Sequence, residues 1–545
     1  MKRVAMLVCV CLLVVGMTAG AGARQGPGSD EAGRFFLRHR ALKALAAADA
    51  TAAPGAFLPS SRECTVRGAP DNLNLDCDDP EFESPNNEPH IVVDPEDPQH
   101  MIASSNDYES CCDEFYTTFD GGKTWKTGDM SAESPNEIGS DPVTAIDPVS
   151  GNAIHSSLNF EFTDDGLATN GDVVVSLSED GGLTWGEPVV VQRGRGDDDD
   201  PVQLFNDKQW VLTDTNPDSP YYGRTYLTWS RFRAESGVYV ESPIFESHSD
   251  DGGETWSDPQ EISGRSPTCT YQEAGGGRDC DEDQGSVPAV APDGTVYVSF
   301  QNAQHEAAWE AGEQFEDQYM VVRSEDGGET WDNPVSVADM EDGSRDFPLN
   351  VDDRQTLTNY QLRVPTFGHF VSDPNSGRLY LVFTDNRAGR HDVARPVTDT
   401  NVFITSSADG IKWTTPSAVT SRTTDQWFPS VDVNPVTGEV GVLYHDRIED
   451  GFRDRLYTTT LAEGRPGAWT YTRVASAGSH PRNSLYFRAA EEGCWKCSVF
   501  HGDYISLDYG SDGSANAVWT DMRRYVDLGV PGGTGFTENI FFSRL

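Results

Sequence analysis

Four arginines in this sequence sit in contexts from which a folded chain could gather them. They are Arg363 in Leu362-Arg363-Val364-Pro365, Arg387 in Asp385-Asn386-Arg387, Arg447 in His445-Asp446-Arg447, and Arg523 in Asp521-Met522-Arg523-Arg524. A guanidinium is a planar fork of N–H donors that matches a carboxylate in bidentate fashion, so a set of them points to an acidic ligand. The chain is otherwise short of cations, with 40 Lys and Arg against 88 Asp and Glu. Three of the four arginines closely follow an Asp, and the bland reading of Asp385/Arg387, Asp446/Arg447 and Asp521/Arg523 is ion pairing between neighbouring repeats. Trp210, Tyr221, Tyr222, Trp427 and Tyr504 could stack on sugar rings or fill space between layers. His248, His369, His445 and His501 show no metal-ligand spacing.

The elements that must position these residues repeat. Ser324 to Trp331 reads SEDGGETW, with near copies at Thr118 to Trp125 (TFDGGKTW), Ser178 to Trp185 (SEDGGLTW) and Ser249 to Trp256 (SDDGGETW), and a shortened copy at Ser407 to Trp413 (SADGIKW). Asp-Gly between strand-like runs is a hairpin signal: glycine takes positive φ, and the Asp side chain accepts hydrogen bonds from turn N–H groups. Asp120, Asp180, Asp251, Asp326 and Asp409 are therefore structural, and each Trp returns its ring between sheets.

Around these turns a unit recurs from about Glu81: a strand after an x-Pro step, a second strand ending in polar residues, a variable insert, a third strand, the Asp-Gly turn, and a fourth strand. Inner strands are expected at Glu88-Pro89, Asp141-Pro142, Asp207 to Trp210, Val287-Pro288, Val364-Pro365, Phe428-Pro429 and Asp503-Tyr504. The spacing predicts an all-β propeller of seven blades, with six as the alternative, and a chain that grows by repetition can hold one domain of this length. The last unit is one strand short, so an N-terminal strand from about Ala56 to Arg67 is expected to complete it. Successive turns of a blade alternate between the two ends of the ring. The Asp-Gly turns share one end, and the four arginines share the other with Glu88, Asp141, Asp207, Asp283, Asp425 and Asp503. Arg363 is the only Arg at its repeat position.

The Ser/Thr-x-Asp-Gly-Gly-x-Thr-Trp pattern resembles the Asp-box, or bacterial neuraminidase (BNR), repeat of sialidases and of other propellers. The resemblance covers nearly the whole chain as a fold. It implies a glycoside hydrolase of exo-α-sialidase type acting on terminal acidic sugars, or a non-catalytic propeller that binds glycans or protein partners. In sialidases an Arg triad holds the sugar carboxylate, a Tyr paired with a Glu is the nucleophile, and an Asp is the acid/base. Carried over, substrate binding falls to Arg363, Arg387, Arg447 and Arg523, and catalysis to Tyr504 and Asp503 in Gly502-Asp503-Tyr504-Ile505-Ser506-Leu507. The family's Phe/Tyr-Arg-Ile-Pro motif belongs to the first repeat, where this chain has Asn87-Glu88-Pro89 instead. The nearest match is Leu362-Arg363-Val364-Pro365, in the fifth unit.

Residues 1–23 read as a signal peptide, with Lys2 and Arg3, an apolar run from Val4 to Val15 and Ala21-Gly22-Ala23 at the cleavage site. Residues 24–80 read as a leader and linker, helical over Glu31 to Ala50, and residues 81–545 as the propeller. The expectation is a secreted, extracellular monomer with no membrane span. Beyond Cys9 and Cys11, eight cysteines cluster locally at Cys64/Cys77, Cys111/Cys112, Cys269/Cys280 and Cys494/Cys497, and disulfides are the simplest account in an oxidising compartment. A net charge of −48 excludes nucleic acid and anionic membrane as partners. No cofactor is required for this chemistry. Acids converging near an axis repel unless a cation compensates, so calcium is possible among them or at Asp197 to Asp200.

Overall fold

The structure is a computed structural model. It describes residues 62–65, 72–76 and 85–545, apart from segments at 109, 133–137, 163–167, 197–200, 271–276, 306–316, 343–345, 352–353, 393–394, 421–422, 451–455, 483, 488–497 and 528–533. The expected signal peptide, the leader helix, Asp197 to Asp200 and Cys494/Cys497 lie outside the described residues.

Seven antiparallel sheets follow one another along the chain and form a seven-bladed β-propeller. Their inner strands are Asn86–Val93, Ile138–Ile146, Val202–Thr213, Asp283–Val290, His369–Ser372, Gln426–Val433 and Ser506–Tyr509. Each blade then meanders outward. Neighbouring inner strands lie against one another in order, and Ser506–Tyr509 meets Asn86–Val93 to close the ring. Second strands such as Val296–Asn302, Leu379–Asp385 and Val440–Asp446 are buried along their whole length, because a blade lies on each face. They accordingly read as near-continuous runs rather than strict alternation. Among the described residues, no helix is long and apolar enough to cross a membrane.

Three boundaries differ from the sequence expectation. The closing strand is Leu73–Asn74, which pairs with Phe542 and Phe541 of the last blade. Part of the stretch assigned to that role, Arg62–Thr65, instead extends the first blade against Thr124–Thr127. The propeller thus draws on residues assigned to the linker. The inner strand of blade five starts at His369, so Val364-Pro365 precedes the strand, and Arg363 bridges back to Thr356 within a long insertion.

The Asp-Gly turns share one hydrogen-bond pattern. Ser324 Oγ donates to Asp326 Oδ1 at 2.8 Å, and Thr330 N and Oγ1 donate to the same carboxylate at 2.9 and 2.6 Å. Trp331 Nε1 donates to Gly328 O at 3.1 Å, as Trp125, Trp256 and Trp413 do at their own turns. The turns also clamp blades together. Thr117 Oγ1, Asn152 Nδ2 and Arg224 Nη1 each donate to a turn-glycine carbonyl of the next blade: Gly182 (3.0 Å), Gly252 (3.2 Å) and Gly327 (2.7 Å). Among the described residues two local disulfides are formed, Cys111–Cys112 and Cys269–Cys280, while Cys77 lies outside them.

At the axis, five inner strands carry the same defect. The register slips at Asn87/His90, Ser140/Val143, Asp207/Trp210, Gln284/Val287 and Trp427/Ser430. Within each slip Glu88, Asp141, Lys208, Gly285 or Phe428 has φ between 53° and 64°. In three of the five a proline follows the slipped residue, at Pro89, Pro142 and Pro429, where a ladder interrupted by a bulge needs no N–H. A left-handed backbone at Glu88, Asp141, Lys208 and Phe428 is strained, and strain of this kind clusters at functional sites.

Candidate functional site

The slipped residues place charge at the ring centre. Asn106, at the end of the second strand of blade one, holds two of them. Its Nδ2 donates to Glu88 Oε2 at 2.9 Å, and its Oδ1 accepts from Asp141 N at 2.8 Å. Glu88 is 1% exposed, and burial, then Asp141 and Asp503, push its carboxyl well above the usual range, with Lys208 opposing. The side chain of Asp141 lies beside that of Glu88 and adds to this upward push through its charge and its hydrogen bond.

Lys208 stands at the same place in blade three. Its Nζ lies 3.5 Å from the ring centroid of Tyr504 and 5.0 Å from that of Trp210, and it has no hydrogen-bond partner. It lines a cavity with Trp210, Phe367, His369, Phe428 and Tyr504. Tyr504 donates its hydroxyl to Pro142 O at 3.3 Å, and burial followed by Glu88 and Asp141 pushes the phenol far up. Asp503 accepts from Arg363 Nε at 3.0 Å on Oδ1 and from Nη2 on Oδ2. Burial raises the Asp503 carboxyl, against the opposing pull of Arg363. Burial drives His90 and His369 down to about 3 and about 4, so both imidazoles are neutral near pH 7.

Of the residues singled out from sequence, the fold brings Tyr504, Asp503 and Arg363 together. The other three arginines each fold onto an aspartate of their own blade. Arg387 pairs with Asp385, lies over Phe403 and reaches Asp339 O of blade four at 2.9 Å. Arg523 pairs with Asp521, lies over Phe541 and reaches Ser476 Oγ, beyond the outer strand of blade six, at 2.9 Å. Arg447, fully buried, pairs with Asp425 and donates to Thr358 O at 2.8 Å. The ion pairs thus lie within a blade and not between neighbouring repeats as expected, and Arg447 pairs with Asp425 instead of Asp446; what crosses to the preceding blade are the hydrogen bonds of Arg387 and Arg523. Lys208 was missed as a site residue. The available signal was its repeat position: aligning Asn87-Glu88-Pro89, Ser140-Asp141-Pro142 and Asp207-Lys208-Gln209 puts Lys208 in register with the two axial acids.

Lys208 and Arg363 lie among the axial acids, and Lys208 opposes the upward push on Glu88 while both oppose that on Asp503. Elsewhere, Glu341, Asp346 and His391 bring one ligand atom each within 4.8 Å of one another. His391 Nδ1 hydrogen-bonds Asp346 Oδ1 and lies 3.5 Å from Glu341 Oε2. One imidazole among two carboxylates suits a zinc-like ion better than calcium, which takes six or more oxygens.

No family profile matches the chain, and no curated protein matches it. Solved structures of similar architecture include a sialidase of Streptococcus pneumoniae, at 11% identity and a TM-score of 0.41, over 69% of this chain and 67% of that one. An intramolecular trans-sialidase of Ruminococcus gnavus is 14% identical, with a TM-score of 0.37 over 71% and 94%. An α-L-arabinanase of Penicillium chrysogenum is 13% identical, with a TM-score of 0.40 over 75% and 95%. At these identities the relationships assign no activity.

Proposed function

We propose that this chain is an exported glycosidase-type propeller of exo-α-sialidase kind, acting on a terminal acidic sugar at the axial end of the ring. The observation that carries the reading is the convergence of a phenol, three carboxyls and two cations from separate blades on one axial cluster. Tyr504 is the attacking oxygen and passes its proton to Asp141. Asp503, the ionised partner of Arg363, holds that cation at the cluster, and Glu88, which burial pushes well above the usual carboxylate range, is the carboxyl that carries a proton for the leaving oxygen. An acidic sugar carries its own negative charge, which disfavours a carboxylate nucleophile and favours a phenol.

The test is hydrolysis of a fluorogenic α-sialoside by wild type, Tyr504→Phe and Asp503→Asn. Turnover falling at least 100-fold in both variants is expected. Absence of wild-type turnover across pH 4 to 8 would sink the hydrolase reading, while turnover indifferent to both changes would sink the assignment of residues. A second reading, a non-catalytic glycan-binding propeller, is favoured by burial: Glu88, Asp141, Lys208, Arg363, Asp503 and Tyr504 are each less than a tenth exposed. Glycan-array binding without turnover would support it.

A further inference from the structure

Away from the axial cluster, three separate parts of the chain bring metal-ligand side chains together. Glu341 follows the outer strand of blade four, Val335–Met340. Asp346 lies in the insertion before blade five, and His391 in the loop between Leu379–Asp385 and Asn401–Ser407. One donor atom from each lies within 4.8 Å of the other two. His391 Nδ1 faces both carboxylates: it hydrogen-bonds Asp346 Oδ1 and lies 3.5 Å from Glu341 Oε2. The second separation is close to that of two ligands each about 2.0–2.2 Å from one ion. Nε2 of the same ring is buried without a hydrogen-bond partner, so the imidazole is oriented from its Nδ1 side.

The backbone fixes this set in advance. Asn386, fully buried, donates its N–H to Glu341 O at 3.3 Å and its Nδ2 to Asp346 O, which ties the two acid-bearing segments together. Arg390 and Val397 exchange N–H to O bonds of 2.8 and 3.1 Å and hold His391 beside them. Both carboxyl side chains are 2% exposed and His391 is 24% exposed, so the imidazole side is the way in from solvent.

We infer that Glu341, Asp346 and His391 bind one divalent transition ion of zinc type, which joins blade four, the insertion and blade five. One imidazole nitrogen with two carboxylate oxygens is a zinc donor set that leaves a fourth position to water, whereas calcium takes six or more oxygens. A protonated His391 offsets one carboxylate charge; a divalent ion offsets two and displaces the imidazole proton. The inference goes beyond the hydrolase reading and shares no residue with the axial cluster.

The experiment is calorimetric titration of the EDTA-stripped full chain with zinc chloride and, separately, with calcium chloride, followed by substitution with cobalt(II). Zinc is expected to bind at least about 100-fold more tightly than calcium. Cobalt is expected to give visible d–d bands without the charge-transfer band that thiolate ligands add. His391→Ala, at the most exposed of the three positions, should weaken zinc at least about tenfold and remove the cobalt bands. Asp346→Asn, which keeps the side-chain shape, should do the same, and both variants should lose the rise in Tm that zinc gives the wild type. If the cluster is only an imidazole–carboxylate ion pair, His391→Ala lowers the Tm of the stripped protein and no ion titrates. That result overturns the inference, as does calcium binding as tight as zinc, or zinc affinity and cobalt bands that both substitutions leave unchanged.

Discussion

Arg363 and Asp503 lie 140 residues apart and meet as a buried, bidentate ion pair at the centre of the ring. The pair joins the insertion before blade five to the segment entering blade seven. Arg363 is fastened further by its N–H to Val499 O at 2.8 Å and by the Phe500 ring, 4.7 Å from the guanidinium carbon.

Breaking this pair from one side leaves a buried charge uncompensated. Arg363→Ala is expected to lower stability by about 3–5 kcal/mol, and Arg363→Met combined with Asp503→Leu to recover a large part of that loss. Urea unfolding of the two variants measures the difference. A single substitution costing under about 1 kcal/mol would show that the pair is solvated.

A second buried couple sets a pH dependence. Asp432 and Asp508, on the inner strands of blades six and seven, accept backbone N–H groups of Tyr509 and Val93 at 2.7 and 2.6 Å. Burial lifts Asp432 to about 6, and burial with the Asp432 charge lifts Asp508 further. The folded state therefore binds protons more tightly than the unfolded chain. The resulting stabilisation is complete below the ordinary carboxylate range and is lost as pH rises through about 6 and above. The Tm is expected to fall from pH 5 to pH 8 on this account, and Asp508→Asn to flatten the slope. A wild-type slope that the substitution does not change would rule the pair out as its source.

Glycine substitutions separate the turn from the clamp. Gly122 and Gly151 have φ of 82° and 78°, so alanine is similarly strained at both. A Cβ at Gly151 meets nothing within 4 Å, whereas one at Gly122 would fall 2.7 Å from Phe542 Cζ in the last blade. Gly151→Ala should cost about 1 kcal/mol, and Gly122→Ala about 1–3 kcal/mol more. Equal losses in thermal unfolding would mean that the turn does not press on its neighbour.

Ring closure rests on very few residues. Leu75 is fully buried, its N–H donates to Ile540 O at 2.8 Å, and Asn539 Nδ2 donates to Asp76 Oδ2 at 2.6 Å. Leu75→Ala should cost about 2–5 kcal/mol. Deleting residues 1–76 should leave Asn539–Arg544 as an open edge and cause self-association detectable by light scattering. A truncated chain as stable and monodisperse as the full one would show that the ring does not need this closure.

The sequence alone determined the repeating unit, since Asp-Gly hairpins, x-Pro steps and second strands ending in polar residues are local and carry their own chemistry. It was enough to count seven blades and to mark the Asp-Gly turns as structural. It misplaced the closing strand, because a two-residue pairing at Leu73–Asn74 is too short to leave a pattern. Proline placed Val364-Pro365 at a strand start, but the inner strand of blade five begins only at His369. Ring closure decided which charges meet. Asp385, Asp425 and Asp521 engage Arg387, Arg447 and Arg523, while Arg363 reaches Asp503 and Lys208 lies over the Tyr504 ring. Charge pairing at an axis depends on the distances among seven separate strands, and the order of residues within any one of them does not contain those distances.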